Sequence, residues 1–277
     1  MPKVLSEAAV RQYSERGYYF PVRVLTPGEA ANYRSKLETY ETETGGPLKS
    51  EMKHKTHLIF KWAYELVRLP KILDAVEDLI GPNILCWSST FFIKEAQSPA
   101  YISYHQDLTY WGLDPADIVT AWVALAPATL ESGAMKFLPG SHTTEILPHK
   151  DTFAKDNLLT RGQEVAVEVD EGKLVDVLLQ PGEMSLHHVK LVHGSMPNKS
   201  DDRRIGFAVR YVPSYVRQVA GPKDSAILVR GSDPNGNFEP EEPPAYDHDP
   251  AAVARHQAIM ARQQQILYRG TDAKGFR

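Results

Sequence analysis

Residues 193–211 read HGSMPNKSDDRRIGFAVRY, and this stretch carries the strongest evidence for the fold. Its Pro-Asn-Lys-Ser segment predicts a turn, after which a strand begins near Arg204. Because side chains alternate between the two faces of a strand, the residues separate into two sets. One set is Arg204, Gly206, Ala208 and Arg210, and the other is Ile205, Phe207, Val209 and Tyr211.

The face that begins with Arg204 suits a small anion. Gly206 and Ala208 leave space beside the arginine, whose planar guanidinium can bind a carboxylate through two hydrogen bonds. A buried structural arginine in a salt bridge is the alternative interpretation. His193 precedes Arg204 by eleven residues, and the combination of the two favours the anion site.

Short β-type runs precede this strand from about residue 84 onward, separated by turn signals such as Pro139-Gly140 and Pro181-Gly182. The runs are Leu85–Lys94, Ile118–Leu125, Met135–Leu138, Val165–Val169, Leu174–Leu179 and Glu183–His188. Many short strands at fairly regular spacing predict a jelly roll or a related barrel. Residues 140–162 form a long connection within it, and long connections in compact domains are often functional lids.

Helical patterns flank the strands. Ser6 can cap a helix that ends at Gly17, and Thr26 with Glu29 forms a capping-box pattern for a helix to about Thr44. A third helix is predicted over Lys71–Ile80. Residues 221–250, rich in proline, glycine and acids, are interpreted as a surface segment outside the core. The final helix starts at Asp249-Pro250, and its apolar stripe is expected to pack on the barrel; a dimer contact is the alternative.

One domain is therefore expected over residues 1–277. It consists of a helical N-terminal part (1–82), a jelly-roll core (83–215) and a C-terminal segment with a helix (216–277). The fold class is mainly β with flanking helices.

A candidate metal site combines His105-Gln106-Asp107 with the distant His193. Residues 101–104, YISY, can form a strand, on which His105 and Asp107 would point to the same face and share an ion. Two histidines and one carboxylate can occupy one face of an octahedral metal, as in non-haem Fe(II) oxygenases. A second His-x-Asp occurs at His149–Asp151, where the polar loop context favours a solvated histidine.

Composition excludes several classes of function. The 277 residues carry a net charge of −4 with both signs interspersed, so neither a nucleic-acid surface nor a polybasic membrane anchor is indicated. No signal peptide and no transmembrane run is evident in the sequence. The single cysteine, Cys86, excludes an internal disulfide and is expected to be a buried structural thiol in a cytoplasmic protein.

The chain resembles the phytanoyl-CoA dioxygenase family of Fe(II)/2-oxoglutarate-dependent oxygenases over about residues 85–215. The motifs that carry the resemblance are His105-Gln106-Asp107, Thr120-Ala121-Trp122-Val123-Ala124-Leu125, Ser132-Gly133-Ala134-Met135, Leu138-Pro139-Gly140-Ser141-His142, Pro181-Gly182-Glu183, His193-Gly194-Ser195 and Arg204. The resemblance implies a double-stranded β-helix, a cupin-like jelly roll. It also implies a hydroxylase that uses Fe(II), 2-oxoglutarate and O2 and releases succinate and CO2.

The resemblance also implies residue roles. His105, Asp107 and His193 would bind Fe(II), and no catalytic residue is expected beyond this iron site. Arg204 would hold the distal carboxylate of 2-oxoglutarate with Ser195 as a hydroxyl partner. Gln106, Trp122 and Lys55 would be further co-substrate contacts, with core packing as the alternative for Trp122. Related halogenases have a small residue in place of the carboxylate, so the retained aspartate implies hydroxylation.

Substrate-binding residues are expected among the aromatic and basic side chains near the metal motif: Tyr104, Tyr110, Trp111 and Arg210. Aromatic rings can enclose a quaternary ammonium and arginines can bind an anion, so a small zwitterion such as an aminophosphonate is one hypothesis. The alternative is that the tyrosines pack on the barrel wall and the arginines, including Arg217, pair with surface acids.

Other functions stay open at this stage. They are an acyl-CoA hydroxylase, a non-enzymatic cupin-like binding protein and a zinc hydrolase with the same three ligands. The sequence leaves open the identity of the substrate, a homo-oligomer, and the roles of residues 140–162 and 221–250.

Overall fold

Two antiparallel sheets that face each other form the centre of the molecule in the computed structural model, which describes residues 2–272. The α-helices are α1 (Glu7–Arg16), α2 (Pro27–Glu43), α3 (Lys61–Val67), α4 (Pro70–Ile80), α5 (Leu108–Trp111) and α6 (Pro250–Leu267). Short 3-10 helices cover Ser50–Lys53, Thr56–Leu58, Ser141–Thr143 and Glu171–Lys173.

The strands follow the chain from the N-terminal part to just before the last helix. They are β1 (Tyr18–Arg23), β2 (Ile84–Lys94), β3 (Ile102–His105), β4 (Leu113–Asp114), β5 (Val119–Ala124), β6 (Met135–Phe137), β7 (His149–Asp151), β8 (Gln163–Val165), β9 (Val175–Val177), β10 (Glu183–His188), β11 (His193–Ser195), β12 (Arg204–Pro213), β13 (Arg217–Gln218), β14 (Ser225–Arg230) and β15 (Glu239–Pro240).

The larger sheet has the order β1-β10-β5-β12-β2-β14-β15, and the smaller one has the order β3-β11-β6-β9. Two ribbons, β4 with β13 and β7 with β8, lie at the periphery. Nearly all pairings are antiparallel, and β15 alone of these strands runs parallel to its neighbour. The arrangement is the double-stranded β-helix expected, with helices on its flanks.

Strand β12 separates the two sides of the larger sheet as its sequence predicted. Ile205, Phe207 and Val209 are buried in the hydrophobic core that includes residues of α2, α3 and α4. On the opposite face, Arg204, Ala208 and Arg210 line a cavity between the two sheets. A register slip of one residue would place both arginines in the apolar core, so the amphipathic pattern strongly specifies this register.

Local signals account for the predicted helix starts. Ser6 accepts a hydrogen bond from the backbone of Ala9 at the start of α1. Thr26 and Glu29 form the predicted capping box: the Thr26 hydroxyl accepts from the Glu29 amide, and the Glu29 carboxylate accepts from the Thr26 amide. These caps satisfy amide groups that have no partner within their own helix.

The C-terminal segment corrects one expectation. Residues 221–250 were interpreted as lying outside the core, yet β14 joins the larger sheet beside β2. Ala226, Ile227 and Val229 of β14 are buried, and so is Phe238. The acidic and proline-rich composition of the whole segment obscured this short apolar strand. Helix α6 confirms its prediction, because Ala252, Met260 and Ile266 of its apolar stripe are buried.

Two further elements differ from the sequence-based assignment. Strand β1 was missed within the helical N-terminal part, and it pairs with β10 at the edge of the larger sheet. The strand expected over Val165–Val169 instead covers Gln163–Val165 and pairs with β7 inside the long connection. None of the helices in the described part of the chain is long and apolar enough to cross a membrane.

Gly206 provides a direct test of side-chain packing between neighbouring strands on the inner face of the larger sheet. A Cβ atom at this position would lie 1.8 Å from Cζ2 of Trp122 on the neighbouring strand. We therefore expect Gly206→Ala to lower the free energy of unfolding by about 1–3 kcal/mol, as overpacking does in well-packed cores. Chemical denaturation measures this change.

Gly28→Ala is the matched control, because its Cβ would have no atom within 4 Å and the residue lies in the first turn of α2. It should leave the unfolding midpoint unchanged or raise it slightly. Equal midpoints for Gly206→Ala and the wild type would show that the Trp122 ring moves freely.

Candidate metal centre

His105, Asp107 and His193 converge at the boundary of the two sheets. One ligand atom from each lies within 4.8 Å of the others, and all three side chains are buried. The Nε2 atom of His105 is 3.2 Å from Oδ1 of Asp107, and the two imidazole centroids are 4.2 Å apart. Two imidazole nitrogens and one carboxylate oxygen are a donor set that fits a divalent iron ion.

Backbone carbonyls orient both imidazoles. His105 on β3 and His193 on β11 are paired directly across the smaller sheet. Nδ1 of His105 lies 2.9 Å from the carbonyl oxygen of Ser103, and Nδ1 of His193 lies 2.9 Å from that of Leu191. When Nδ1 of each ring carries the proton and donates it to the carbonyl, the lone pair of Nε2 is free to coordinate a metal.

The electrostatics of the site favour the metal-binding protonation states. Burial and the neighbouring His105 lower the pKa of His193 to about 4, so its ring is neutral at physiological pH. Burial acts to raise the pKa of Asp107, but the His105 hydrogen bond and the nearby His193 outweigh it, and the pKa is lowered. Metal ligands must be deprotonated, and both groups meet that requirement.

Asp107 reaches the site by a different route from the one expected. Strand β3 ends at His105, and Asp107 has helical backbone angles at the start of α5. The expectation that both side chains share a strand face was therefore wrong, although they do converge. The turn between them removes Asp107 from the sheet, and its carboxylate makes no capping hydrogen bond that would compete with a metal.

Gln106 braces this turn and is not available to a co-substrate. Its Nε2 donates to the carbonyl of Lys190 at 2.8 Å, and its Oε1 accepts from the amide of Leu147 at 2.8 Å. Because both ends of this buried amide are engaged, the structure corrects the expected co-substrate contact. The residue links the metal-binding turn to the start of the long connection.

His149, expected to be solvated, is half-buried on β7. Its Nε2 accepts a hydrogen bond from the amide of Gln106 at 3.0 Å, and its Nδ1 donates to the carbonyl of Leu147 at 2.7 Å. Burial lowers the pKa of His149, which fits its use as an acceptor. His149 of the second His-x-Asp motif therefore stabilises the backbone of the metal-binding turn at Gln106.

A buried arginine lies in the same cavity as the metal-binding residues. Arg204 is fully buried, and its Nη1 donates to the carbonyl of Gly133 at 2.9 Å. Its Nε and Nη2 have no hydrogen-bond partner within the described chain. Trp122 lies beneath the guanidinium with its ring 5.4 Å away, and Ser195 lines the cavity beside it. Two free N–H groups on a buried guanidinium fit a bidentate carboxylate ligand.

Comparison with known proteins agrees with this geometry. The profile of the family described as phytanoyl-CoA dioxygenase (PhyH) matches residues 1–206. The chain belongs to the phytanoyl-CoA dioxygenase family. The family prediction is confirmed, and the match extends through the N-terminal helices.

Three proteins illustrate the relationship to other members. A solved structure titled "non-heme monooxygenase; ThoJ apo" is 38% identical, with a TM-score of 0.84, and the match covers 94% of this chain and 97% of that one. A probable alpha-ketoglutarate-dependent hypophosphite dioxygenase of Stutzerimonas stutzeri is 31% identical over 65% of this chain. The human peroxisomal phytanoyl-CoA dioxygenase is 28% identical over 69% of this chain. The matches span 65% and 64% of these last two relatives.

In this member of the phytanoyl-CoA dioxygenase family, the cavity around the candidate co-substrate residues contains groups that sequence reasoning missed. Thr120 Oγ1 and His187 Nδ1 are buried without a hydrogen-bond partner in residues 2–272, and both residues line the cavity. Thr120 stands two residues before Trp122 on one strand, so the alternation of β5 could have identified it. No sequence signal distinguished His187.

A second cavity adjoins the metal site and accommodates most of the expected substrate-binding residues. Tyr110, Trp111 and Arg210 line it together with Asp107. Leu158, Leu159 and Thr160 of the long connection and Gln263 and Leu267 of α6 form the rest of its wall on that side. Tyr104 lies elsewhere, in an open groove with Lys150 and Glu164. The strand turns its side chain away from the cavity, so its expected role is not supported.

Arg210 is the arginine of this second cavity, and it lines the first cavity as well. Its Nη1 donates to the Thr90 hydroxyl at 2.5 Å, and its Nε has no hydrogen-bond partner in the part of the chain that the structure describes. The guanidinium carbon lies 5.5 Å from the rings of Phe92 and Trp111. The cation is held by aromatic faces and a hydroxyl, and among residues 2–272 no carboxylate forms an ion pair with it. Burial lowers the pKa of Arg210, whereas the nearby Asp107 carboxylate acts to raise it.

Lys55 does not reach either cavity. Its ammonium group is buried, and it donates to the carbonyl of Ser225 at 2.8 Å and to Oε1 of Glu241 at 2.5 Å. The expected co-substrate contact is therefore wrong, because the lysine is committed to a buried ion pair. This pair joins the N-terminal part to the C-terminal segment that follows β14.

Cys86 is buried, as predicted.

Proposed function

We propose that this protein is an Fe(II)- and 2-oxoglutarate-dependent dioxygenase that hydroxylates a C–H bond of a small molecule. The observation that carries the proposal is one cavity that contains both the buried His-Asp-His set and a buried guanidinium with two free N–H groups. The relative from Stutzerimonas stutzeri, named as alpha-ketoglutarate-dependent, supports the same co-substrate.

In such a reaction, one set of residues would bind the metal and another would bind the co-substrate. His105, Asp107 and His193 would hold Fe(II) on one face and leave the other coordination positions open. Arg204 would bind the distal carboxylate of 2-oxoglutarate and Ser195 would donate its hydroxyl proton to it, which fixes the orientation of the co-substrate. Bound Fe(II) and 2-oxoglutarate supply the oxidising chemistry, in which O2 is consumed and succinate, CO2 and hydroxylated substrate are released.

A substrate bound in the second cavity would lie beside the metal, since Asp107 lines both cavities. Its lining combines aromatic rings and leucines with polar side chains such as Thr90, Gln163 and Gln263. Leu159 lines both cavities as well, so the long connection covers the site as a lid would. This shielding limits the reaction to a molecule that fits between α5, α6 and the connection.

Arg210 supports a small anion as substrate, with a phosphonate or carboxylate group on the guanidinium. Arg217 is exposed and lies 3.5 Å from Asp114, so it contributes no second free cation. The ring of Trp111 already faces Arg210, and that of Tyr110 faces Arg161 at 4.5 Å. These faces are therefore less suited to a quaternary ammonium. An aminophosphonate fits through its anionic end, and the hypophosphite named for one relative is also an anion.

The two other classes of function predict different behaviour. A non-enzymatic binding protein would keep its ligand when Arg204 is replaced by alanine. A zinc hydrolase would work without O2 and would not respond to 2-oxoglutarate. An acyl-CoA hydroxylase would need basic groups for nucleotide phosphates, and in the second cavity Arg210 is the only arginine or lysine that forms part of the described lining.

The proposal is tested by adding Fe(II) and 2-oxoglutarate to the purified protein without oxygen. We expect a metal-to-ligand charge-transfer absorption band, because chelation of Fe(II) by 2-oxoglutarate needs the three-residue site and the arginine together. Succinate should then form when O2 is admitted with a small phosphonate or carboxylate. A wild-type protein that binds Fe(II) but develops no such band would contradict the proposal.

A further inference from the structure

Lys94 is a buried lysine that borders the candidate co-substrate site. It ends β2, and the register of the sheet pairs it with Arg204 at the start of β12. Its side chain is fully buried, and its Nζ donates to Ser195 Oγ at 2.7 Å and to the carbonyl of Met196. The carbonyl of Gly133, which accepts from Arg204, is 3.4 Å from the same Nζ.

No acidic side chain in residues 2–272 forms an ion pair with Lys94 or with Arg204. Glu95, the neighbour of Lys94 in the chain, pairs with Arg203 at 2.8 Å instead. The other lysine with a fully buried side chain, Lys55, does have a carboxylate partner in Glu241. Two adjacent basic groups buried without a counter-ion cannot both carry their charge at low cost, so an anion from outside the chain would stabilise the charged form of the pair.

We infer that Lys94 is a positioning residue for the 2-oxoglutarate carboxylate and that it acts through the hydroxyl group of Ser195. Ser195 lines the cavity whereas Lys94 does not, so the serine lies between the lysine and the ligand. An ammonium that donates to Ser195 Oγ directs the hydroxyl proton toward the cavity. The inference rests on the proposed function, because it concerns the same co-substrate.

The protonation state of Lys94 is expected to follow the ligand. Burial and the neighbouring charge of Arg204 lower the pKa of Lys94 to about 6, so the amine is mostly uncharged at neutral pH without an anion. The contacts on its other side, from Ser195, Met196 and Gly133, are uncharged. A carboxylate on Arg204 offsets the repulsion and raises this pKa, so binding should take up a proton.

The sign of the pH dependence follows from this uptake. Affinity for 2-oxoglutarate should rise as the pH falls from about 8 toward 6, by at most about tenfold per pH unit, and should level off below the pKa of the free protein. Lys94→Met removes the titrating group and keeps the volume. It should bind about tenfold more weakly at pH 6.5, as expected for loss of a charge-assisted hydrogen bond, and should lack the lysine-dependent slope.

The experiment is isothermal titration of 2-oxoglutarate into the full chain loaded with Ni(II), which permits binding without turnover. Titrations at pH 7.5 in buffers of different ionisation enthalpy report the number of protons taken up. We expect an uptake in the wild type that Lys94→Met loses. Lys136→Met is the matched control, since Lys136 lies on the strand beside β11 and pairs with Asp176 at 2.7 Å. It should behave as the wild type.

Ser195→Ala and the double variant with Lys94→Met distinguish positioning from a general structural role. If the lysine acts through the serine, the losses of affinity in the double variant should fall short of the sum of the single losses. Parallel pH profiles for wild type and Lys94→Met would overturn the inference while leaving the proposed function intact. No proton uptake in the wild type would overturn it even if Lys94→Met does not fold. Absence of 2-oxoglutarate binding by the Ni(II)-loaded wild type would overturn both.

Discussion

Replacing His193 with alanine is expected to weaken Fe(II) binding by more than about 100-fold, the upper end of what loss of an outer-shell partner costs. His193 supplies one of the three ligand atoms that lie within 4.8 Å of one another at this site. Two remaining ligands cannot hold the ion against water with the same geometry. The charge-transfer band with 2-oxoglutarate should disappear, and Fe(II) affinity measured by anaerobic titration should fall in parallel.

His142→Ala is the matched control for this loss. His142 is also buried, its Nε2 lies 3.0 Å from the carbonyl of Ser14, and it is not among the residues that line either cavity. Its replacement should lower the unfolding midpoint and leave Fe(II) binding in place. A His193→Ala variant that retains wild-type affinity for Fe(II) would exclude the His-Asp-His set as the iron site.

The second large effect is expected for Arg210→Met. A buried cation that binds an anionic substrate contributes about 2–5 kcal/mol, which corresponds to a loss of about 30- to 4,000-fold in kcat/KM. 2-Aminoethylphosphonate and short carboxylates are the probes, and substrate-dependent O2 uptake is the measurement. Arg210 also lines the co-substrate cavity, so 2-oxoglutarate affinity is measured separately. We expect it to fall less than kcat/KM, because Arg204 is the residue proposed to hold that ligand.

Arg217→Met is the control for Arg210→Met, since Arg217 is exposed and lies 3.5 Å from Asp114. It should keep the wild-type kcat/KM with whichever probe is active. If Arg210→Met also keeps it, the anion is bound elsewhere and the proposed substrate class is wrong. If only uncharged compounds or acyl thioesters support O2 uptake, the same conclusion follows.

The strands and their faces could be read from the sequence because side-chain alternation is a local property. The alternation in residues 204–211 placed the apolar set of β12 in the core and the arginines in the cavity, as found. Helix starts at Ser6 and Thr26 were equally predictable, because capping needs only neighbouring residues. The short strand β14 was not predicted, since its six residues lie within a segment whose overall composition is polar.

Site residues whose role depends on a distant partner were predicted less well. Gln106 and Lys55 were expected at the co-substrate, but each is engaged by backbone or side-chain groups that are remote in the chain. Lys94 was overlooked for the same reason, because its only distinctive property is to lie beside Arg204 without a counter-ion. No local pattern distinguishes a lysine that has a buried acidic partner from one that does not.

The amino-acid order alone was enough to specify the class of fold, the family and the three candidate iron ligands, because motif spacing and alternation are retained in a linear sequence. Folding decided which polar groups remain unsatisfied next to those ligands. Within residues 2–272, Arg204, Arg210 and Lys94 are buried and form no ion pair with an acidic side chain, whereas Lys55 and Arg217 do. The difference is whether folding brings an acidic side chain within about 4 Å of the basic group. Where it does, the chain neutralises the charge, and where it does not, the basic group is left to bind an anion.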